Sequence, residues 1–93
     1  DKNTSGSNNT AMGNFSLRKN TTGNNNIAIG DSTLYNNTIK SGLTAVGSGA
    51  LKGNFSGSEN SAFGYQALTA NTTGYRNTAT GFESLKSNTN GKW

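Results

Sequence analysis

Residues 60–74 read NSAFGYQALTANTTG, and this pattern recurs along the chain with a period of 17 residues. An internal repeat of this length indicates one small structural unit that is stacked several times, so it decides the fold before any other feature. Four columns of the repeat hold a single residue type in all five copies. They are Ala11, Ala28, Ala45, Ala62 and Ala79; Gly13, Gly30, Gly47, Gly64 and Gly81; Leu17, Leu34, Leu51, Leu68 and Leu85; and Asn20, Asn37, Asn54, Asn71 and Asn88.

The composition is very polar for a folded protein. Asn, Thr, Ser and Gly occupy 53 of the 93 positions, whereas Leu, Ile, Val and Phe occupy 14. Disordered chains usually combine such low hydrophobicity with high charge, but the net charge here is only +4. The apolar residues are also placed regularly. Because the chain has no Cys, disulfides do not stabilise it, and we expect the order to come from the repeat itself.

Each repeat contains one segment with the alternation of a β-strand. In residues 26–30 Ile27 and Ile29 face one way, and Ala28 and Gly30 face the other. A second short extended piece, such as Ala67-Leu68, is expected further on, and the Asn-Thr-Thr-Gly run then supplies a turn. The sequence therefore predicts an all-β parallel β-solenoid of five coils, in which ladders of identical side chains, hydrogen-bonded Asn included, form along the stack.

The array is predicted to be one domain spanning residues 1–93. The repeats are about 9–25, 26–42, 43–59, 60–76 and 77–93, with residues 1–8 as the tail of a preceding repeat. Since the sequence begins and ends inside the pattern, we expect a segment of a longer protein.

Two columns are expected to form the thin core. One is the leucine column, and the other is Met12, Ile29, Val46, Phe63 and Thr80. The opposite strand face carries only Ala and Gly, which permit close approach of another backbone. We therefore predict that this face packs against further copies of the chain. The alternative is that Ala and Gly fit a tight space inside one coil.

The strand motifs carry a family resemblance. NIAIG (26–30), TAVG (44–47) and NSAFG (60–64) resemble the head repeats of trimeric autotransporter adhesins, and residues 60–74 are similar to 17-residue repeats of phage tail-fibre and bacterial surface proteins. The resemblance covers about residues 6–91. It implies a left-handed parallel β-roll, a homotrimer about one axis and a role in surface attachment. The Asn-Thr-Thr-Gly loop is longer than in the adhesin heads, so no ligand-binding residue is carried over.

Enzymatic chemistry is not expected. The acidic residues Asp1, Asp31, Glu59 and Glu83 fall in four different columns, so no two are placed to stack as a catalytic carboxylate pair. Without His or Cys the usual nucleophilic triads are absent. A lone Asp31 does not make a calcium-binding nonapeptide array. We predict no catalytic residue, no metal and no cofactor.

The candidate contact residues are basic and aromatic. Arg18, Lys52 and Lys86 share one column and would form a sparse basic stripe, which is either a contact for polyanionic surface polymers or a solvated loop that resists aggregation. Tyr65 and Phe82 share another column on adjacent coils and would stack about 5 Å apart. This pair is either a glycan-contacting surface or cross-strand stabilisation, and Tyr35, also outside the core column, is a further possible glycan contact.

These observations favour a structural and adhesive segment of an extracellular surface fibre. Its expected partners are itself, as a homotrimer, and a cell-surface glycan or protein receptor. No nucleic acid is expected because the basic residues are too sparse, and no membrane insertion is expected because no apolar run is long enough. One alternative is a phage or virus tail-fibre segment on the virion. A remote alternative is an ice-binding β-solenoid, for which the column Thr21, Thr38, Thr72 and Thr89 is interrupted by Phe55.

Overall fold

The computed structural model describes residues 5–91, which contain five short β-strands. They are β1 (Thr10–Met12), β2 (Ile27–Ile29), β3 (Thr44–Val46), β4 (Ser61–Phe63) and β5 (Thr78–Thr80). The strands form one parallel sheet in chain order, and each residue pairs with the one 17 positions later, as Ala28 does with Ala45. The predicted parallel β-solenoid is confirmed, with four to five turns. The outermost parts of the predicted array, residues 1–4 and 92–93, lie outside the described residues.

Backbone pairing between coils continues well beyond the strands. The N–H of Leu51 donates to the carbonyl of Ala67 at 3.0 Å, and the N–H of Gly53 donates to the carbonyl of Thr69 at 2.9 Å. Buried main-chain groups must find such partners, and the neighbouring coil supplies them at regular intervals. The stack therefore satisfies its backbone with few apolar side chains.

The described part of the chain is a short, narrow block. Its principal extents are 30 × 22 × 16 Å, and its radius of gyration is 11.0 Å. None of the residues from 5 to 91 belongs to a helix that is long and apolar enough to span a membrane.

The interior contains the leucine column and the alanine column, except for Leu85 and Ala11 at the two ends of the stack, which are exposed. Ala28, Ala45 and Ala62 are fully buried, and they form one apolar cluster with Leu34, Leu51 and the other inward-facing leucines. The alanines therefore face the inside of their own coil, and the prediction that they pack against other copies of the chain is wrong. The alternative, a tight fit inside the coil, is what the structure shows.

The second predicted core column lies on the outside. Met12 is 61% exposed, Ile29 36% and Phe63 42%, and Val46 is only half-buried. The prediction that Met12, Ile29, Val46, Phe63 and Thr80 form part of the core is therefore wrong. The reason is the width of the coil. Leu and Asn side chains from the turn segments fill the narrow interior, and the space that remains beneath the strand admits a methyl group but no larger side chain.

The predicted second extended piece at Ala67-Leu68 is also wrong, because the chain turns there. The N–H of Ala67 donates to the carbonyl of Gly64 at 3.2 Å, and the N–H of Asn71 donates to the carbonyl of Leu68 at 3.1 Å. All five leucines of the column adopt a left-handed conformation, with φ between 48° and 52°. This conformation costs about 1–2 kcal/mol for an L-residue, and burial of the leucine side chain offsets it.

The predicted asparagine ladder is confirmed. The Nδ2 of Asn37 donates to the Oδ1 of Asn20 at 3.1 Å, and the Nδ2 of Asn71 donates to the Oδ1 of Asn54 at 3.0 Å. The same Nδ2 atoms donate to the carbonyl three residues further on, as Asn71 does to Gly74 at 3.1 Å. Each amide therefore closes the turn of its own coil and ties that coil to the preceding one.

A second asparagine column, which was not predicted from the sequence, lies just before each strand. It consists of Asn9, Asn26, Asn60 and Asn77, with Leu43 in the third coil. The Oδ1 of Asn60 accepts the backbone N–H of Asn77 at 2.9 Å, and its Nδ2 donates to the carbonyl of Gly74 at 2.8 Å. These side chains replace main-chain partners at the points where the strand begins.

The left-handed leucine column leads to a testable prediction. Replacing Leu51 by isoleucine should lower the free energy of unfolding by about 2–3 kcal/mol, because a β-branched side chain is strongly disfavoured at φ 51°. Leu51→Met conserves volume without branching at Cβ and should cost less than about 1.5 kcal/mol. Urea unfolding followed by circular dichroism measures both values.

The matched control is Leu43→Ile. Leu43 is also fully buried, but it lies outside the left-handed region. We expect a loss below about 1.5 kcal/mol there. Equal losses at Leu51 and Leu43 would show that packing alone, and not the backbone conformation, selects leucine in this column.

Candidate adhesive surface

The turn segment that follows each strand carries most of the predicted contact residues. After the strand, the chain reverses through a glycine and two hydrogen-bonded turns, so side chains in equivalent positions of successive coils lie above one another. Neighbouring coils are separated by the spacing of paired strands, about 4.8 Å. An exposed residue in one column is therefore in contact range of its neighbour in the next coil.

Tyr65 and Phe82 form the stacked pair that the sequence predicts. Their ring centroids are 5.2 Å apart and the ring planes are inclined by 14°. Both rings are exposed, Phe82 by 73%. Aromatic pairs in this geometry stabilise a fold by about 0.5–1.5 kcal/mol, and the free edges and outer faces remain accessible to a ligand.

Tyr35 lies within the column of predicted basic residues, between Arg18 and Lys52. Its ring meets that of Phe15 edge-on, with centroids 6.1 Å apart and an interplanar angle of 79°. The guanidinium carbon of Arg18 lies 5.0 Å from the centroid of Phe15, and the Nζ of Lys19 lies 5.3 Å from that of Tyr35. We call these four residues (Phe15, Arg18, Lys19 and Tyr35) the cationic aromatic cluster.

Phe15 and Lys19 were not among the predicted contact residues. The contacts of Lys19 and Tyr35 run diagonally between coils, because these residues are 16 positions apart and not 17. Phe15 stands at the third position of a turn closed by the N–H of Ser16 and the carbonyl of Gly13 at 3.3 Å. The spacing of 17 within a column does not predict contacts such as that between Lys19 and Tyr35. A spacing of 16, which relates diagonal neighbours on adjacent coils, does predict them.

The other two basic residues of the predicted stripe differ in environment. The Nζ of Lys86 lies 3.2 Å from a carboxylate oxygen of Glu83, three residues earlier in the same turn. Lys52 is exposed. Of the three basic residues in this column, Lys86 in the last coil forms an ion pair, whereas the described residues supply no carboxylate partner to Arg18 or Lys52.

The acidic residues engage in surface ion pairs. Besides the pair at Glu83, Glu59 accepts a hydrogen bond from the Nε of Arg76 at 3.0 Å across adjacent coils. Asp31 is exposed, and Asp1 lies outside the described residues. Between residues 5 and 91 there is no group of three or more metal-ligating side chains and no pocket. Exposed ion pairs of this kind contribute at most about 1 kcal/mol each.

The threonine column considered for ice binding takes part in cross-coil hydrogen bonding. The hydroxyl of Thr21 donates to the carbonyl of Thr38 at 3.2 Å, and the hydroxyl of Thr72 donates to the carbonyl of Thr89 at 3.3 Å. The carbonyl of Thr38 also accepts the backbone N–H groups of Thr21 and Thr22. The hydroxyls of Thr21 and Thr72 therefore link adjacent coils at the turn that contains them.

The sheet presents a second exposed surface, which we call the outward sheet face. It consists of the first and third residues of each strand: Thr10, Met12, Ile27, Ile29, Thr44, Val46, Ser61, Phe63, Thr78 and Thr80. Its centre is apolar, because Ile27, Ile29, Val46 and Phe63 are adjacent in three successive strands. Contiguous apolar surface on a soluble protein is typical of an interaction site.

Comparisons of the chain with known protein families, with characterised proteins and with solved structures find no match. The parallel solenoid and its asparagine ladder are shown by the strand pairing and the side-chain hydrogen bonds of the structure. The resemblance to adhesin heads rests on motif residues 26–30, 44–47 and 60–64, and the resemblance to tail-fibre repeats rests on residues 60–74.

Proposed function

We propose that this chain is a structural and adhesive segment of an extracellular fibre, in which three copies form a rigid rod that attaches to a cell surface. The observation that carries the proposal is the apolar outward sheet face. Ile27, Ile29 and Phe63 are exposed in a chain that has 14 Leu, Ile, Val and Phe residues in all. The coil interior has no room for these side chains, so they form a contiguous apolar surface that only another chain can remove from water.

The geometry of the solenoid favours association about an axis along the stack. Each chain repeats the same side chains every coil, so a neighbour aligned in parallel places equivalent columns in contact along the whole length. Closed rotational symmetry then buries every copy of the face, as is usual for homo-oligomers. Three copies, and a left-handed coil in each, are the arrangement that the resemblance to adhesin heads implies.

The adhesive role is proposed for the turn segments, which form the outer surface of such a trimer. Burial of the outward sheet face leaves the turn segments at the surface. These segments carry the exposed Tyr65 and Phe82, the half-buried Tyr35, and the exposed Lys52, for which residues 5–91 supply no ion pair. The rod supplies stiffness and repetition, since coils rise by about 4.8 Å each. Repeated weak contacts on several chains multiply into strong attachment.

Analytical ultracentrifugation tests the assembly. We expect a species with three times the 9.6 kDa mass of one chain. The double variant Ile29→Glu/Phe63→Glu should sediment as a monomer, because it places buried carboxylates in an apolar interface, where ions are strongly disfavoured.

Thr22→Glu/Thr73→Glu is the matched control, since both threonines are exposed and lie outside the outward sheet face. This variant should remain trimeric. Circular dichroism of each variant separates dissociation from unfolding. A wild-type chain that is folded and monomeric at every concentration would contradict the trimer. Failure of the wild-type trimer to adhere to any cell surface would contradict the adhesive role.

A further inference from the structure

We infer that the cationic aromatic cluster (Phe15, Arg18, Lys19 and Tyr35) binds an acidic polysaccharide, one whose sugars carry carboxylate or sulfate groups. The inference rests on the proposed adhesive function and names the class of ligand. The cluster joins two coils: Phe15, Arg18 and Lys19 belong to one turn segment, and Tyr35 belongs to the next. A backbone hydrogen bond from the N–H of Lys19 to the carbonyl of Tyr35, at 3.3 Å, fixes the two parts relative to each other.

The charge distribution places unneutralised cations at this end of the described chain. Residues 5–52 contain four cations (Arg18, Lys19, Lys40 and Lys52) and one acidic residue (Asp31), which gives a net charge of +3. Residues 53–91 contain two cations (Arg76 and Lys86) and two acidic residues (Glu59 and Glu83), which gives a net charge of zero. The salt bridges in the described residues are Glu59–Arg76 and Glu83–Lys86, so neither Arg18 nor Lys19 is paired with a carboxylate there. Charge complementarity therefore favours an anionic ligand at the cluster.

Phe15 combines a surface ring with an unfavourable backbone conformation. Its side chain is 43% exposed, and its backbone has a left-handed φ of 63°. Such a conformation is unusual for a bulky residue. The equivalent positions of the following coils hold Ser32, Gly49, Gln66 and Glu83, which are polar or glycine. An exposed ring at a backbone position suited to small or polar residues points to a contact with something outside the chain.

The chemistry of the cluster matches an acidic sugar. Aromatic rings pack against the C–H face of a pyranose, and Arg18 can bind a carboxylate or sulfate through two parallel N–H groups. Lys19 adds a second positive charge, over the ring of Tyr35. The cations lie against the rings at 5.0 and 5.3 Å, so both kinds of contact are available to one bound sugar unit. A neutral glycan would use the rings alone, and a nucleic acid would require a denser array of cations.

Isothermal titration calorimetry of the full chain with three polymers tests the inference. Heparin carries sulfate and carboxylate groups, polygalacturonate carries carboxylate alone, and dextran is neutral. We expect binding of heparin or polygalacturonate and none of dextran. The two acidic polymers distinguish the anionic group that is recognised. Binding of dextran with equal affinity, or of a short DNA duplex as tightly as either acidic polysaccharide, would overturn the assignment.

Two double variants with equal change of charge provide the control. Arg18→Gln/Lys19→Gln should weaken binding by roughly tenfold or more through the loss of charge-assisted hydrogen bonds. Arg76→Gln/Lys86→Gln, at the ion-paired sites, should change it by less than about twofold, because those cations are already neutralised. Equal loss in both variants would show that net charge alone is responsible. The single variant Phe15→Leu should weaken binding severalfold. An unchanged affinity would show that the Phe15 ring does not contact the polysaccharide.

Adhesion of the same variants to cells separates this inference from the proposed function. If Arg18→Gln/Lys19→Gln adheres to cells as strongly as the wild-type trimer, the adhesive role stands and the acidic polysaccharide is refuted as its ligand. A chain that binds the acidic polysaccharide through the cluster but adheres to no cell would support the site and refute the adhesive role.

Discussion

Replacing Gly47 by alanine is expected to unfold the chain, whereas the same replacement at Gly81 should cost only about 1–3 kcal/mol. Both glycines have a φ of 121°, which L-residues rarely adopt, so the backbone strain of an alanine is equal at the two positions. Their surroundings differ. A Cβ on Gly47 would lie 2.6 Å from the carbonyl carbon and oxygen of Gly64 in the next coil, whereas a Cβ on Gly81 would meet nothing within 4 Å.

The contact at Gly47 cannot be relieved by a rotamer change, because the opposing atoms are backbone. Separating the two coils would break the ladder on both sides, including the hydrogen bond from the N–H of Gly64 to the carbonyl of Val46 at 2.7 Å. A domain of this size has about 5–15 kcal/mol of stability in total, so strain and a steric clash together are enough to abolish folding.

Urea unfolding of the two variants decides the matter. We expect no cooperative transition for Gly47→Ala and a shifted but intact transition for Gly81→Ala. If both variants lost the same stability, the glycine column would be required for its backbone angle alone, and close approach between coils would play no part.

The second large effect is expected for Asn60→Asp, a substitution that conserves shape. At pH 7 it should destabilise the fold by about 3–5 kcal/mol, because it buries an uncompensated charge. The Nδ2 of Asn60 donates to the carbonyl of Gly74 at 2.8 Å and faces the Oδ1 of Asn54 at 3.4 Å. A carboxylate oxygen in its place would face two acceptors. The other oxygen would still accept the N–H of Asn77.

The loss should depend on pH. Burial raises the pKa of the introduced carboxyl in the folded state above its unfolded value of about 3.9, because the charged form is disfavoured. The variant's folded state then holds its proton over a pH range in which the unfolded chain has lost it. Stability is therefore full below pH 3.9 or so and falls as pH rises above that value. Protonation allows the carboxyl to donate to Gly74, as the amide does.

Thermal unfolding of Asn60→Asp and of Asn90→Asp between pH 3 and 7 provides the measurement and its control. Asn90 is exposed, so the same change of charge there should alter the stability by less than about 0.5 kcal/mol at any pH. A pH-independent loss for Asn60→Asp would show that the buried charge is not its cause and would contradict this prediction.

Leu43 shows how one coil does without this asparagine. It occupies the same column as Asn60, is fully buried, and its N–H donates to the Oδ1 of Asn26 at 2.9 Å. The column thus accepts an apolar side chain, which neither donates nor accepts. A charged side chain is expected to be far more costly there, because a buried unpaired charge costs more than a missing hydrogen bond.

The stacked features were predictable from column positions. Tyr65 and Phe82 share a column on adjacent coils, and the asparagines from Asn20 to Asn88 occupy every coil. Both sets therefore come into contact in any solenoid that has this period. The cationic aromatic cluster was only partly predictable. Its diagonal contact between Lys19 and Tyr35 depends on the path of the turn, and that path depends on left-handed residues such as Phe15.

The sequence by itself determined the period of 17, and hence the parallel pairing, the register and the ladders, because identical residues spaced at one coil length must lie above one another. The alternation in each strand also separated two faces. Only the tertiary structure decided which face is inside. Ile29 is more hydrophobic than Ala28, yet Ala28 is buried and Ile29 is exposed. The width of the coil interior is the reason. Leucine and asparagine side chains already fill the coil, so only a methyl group fits beneath the strand and the larger side chains lie on the outside.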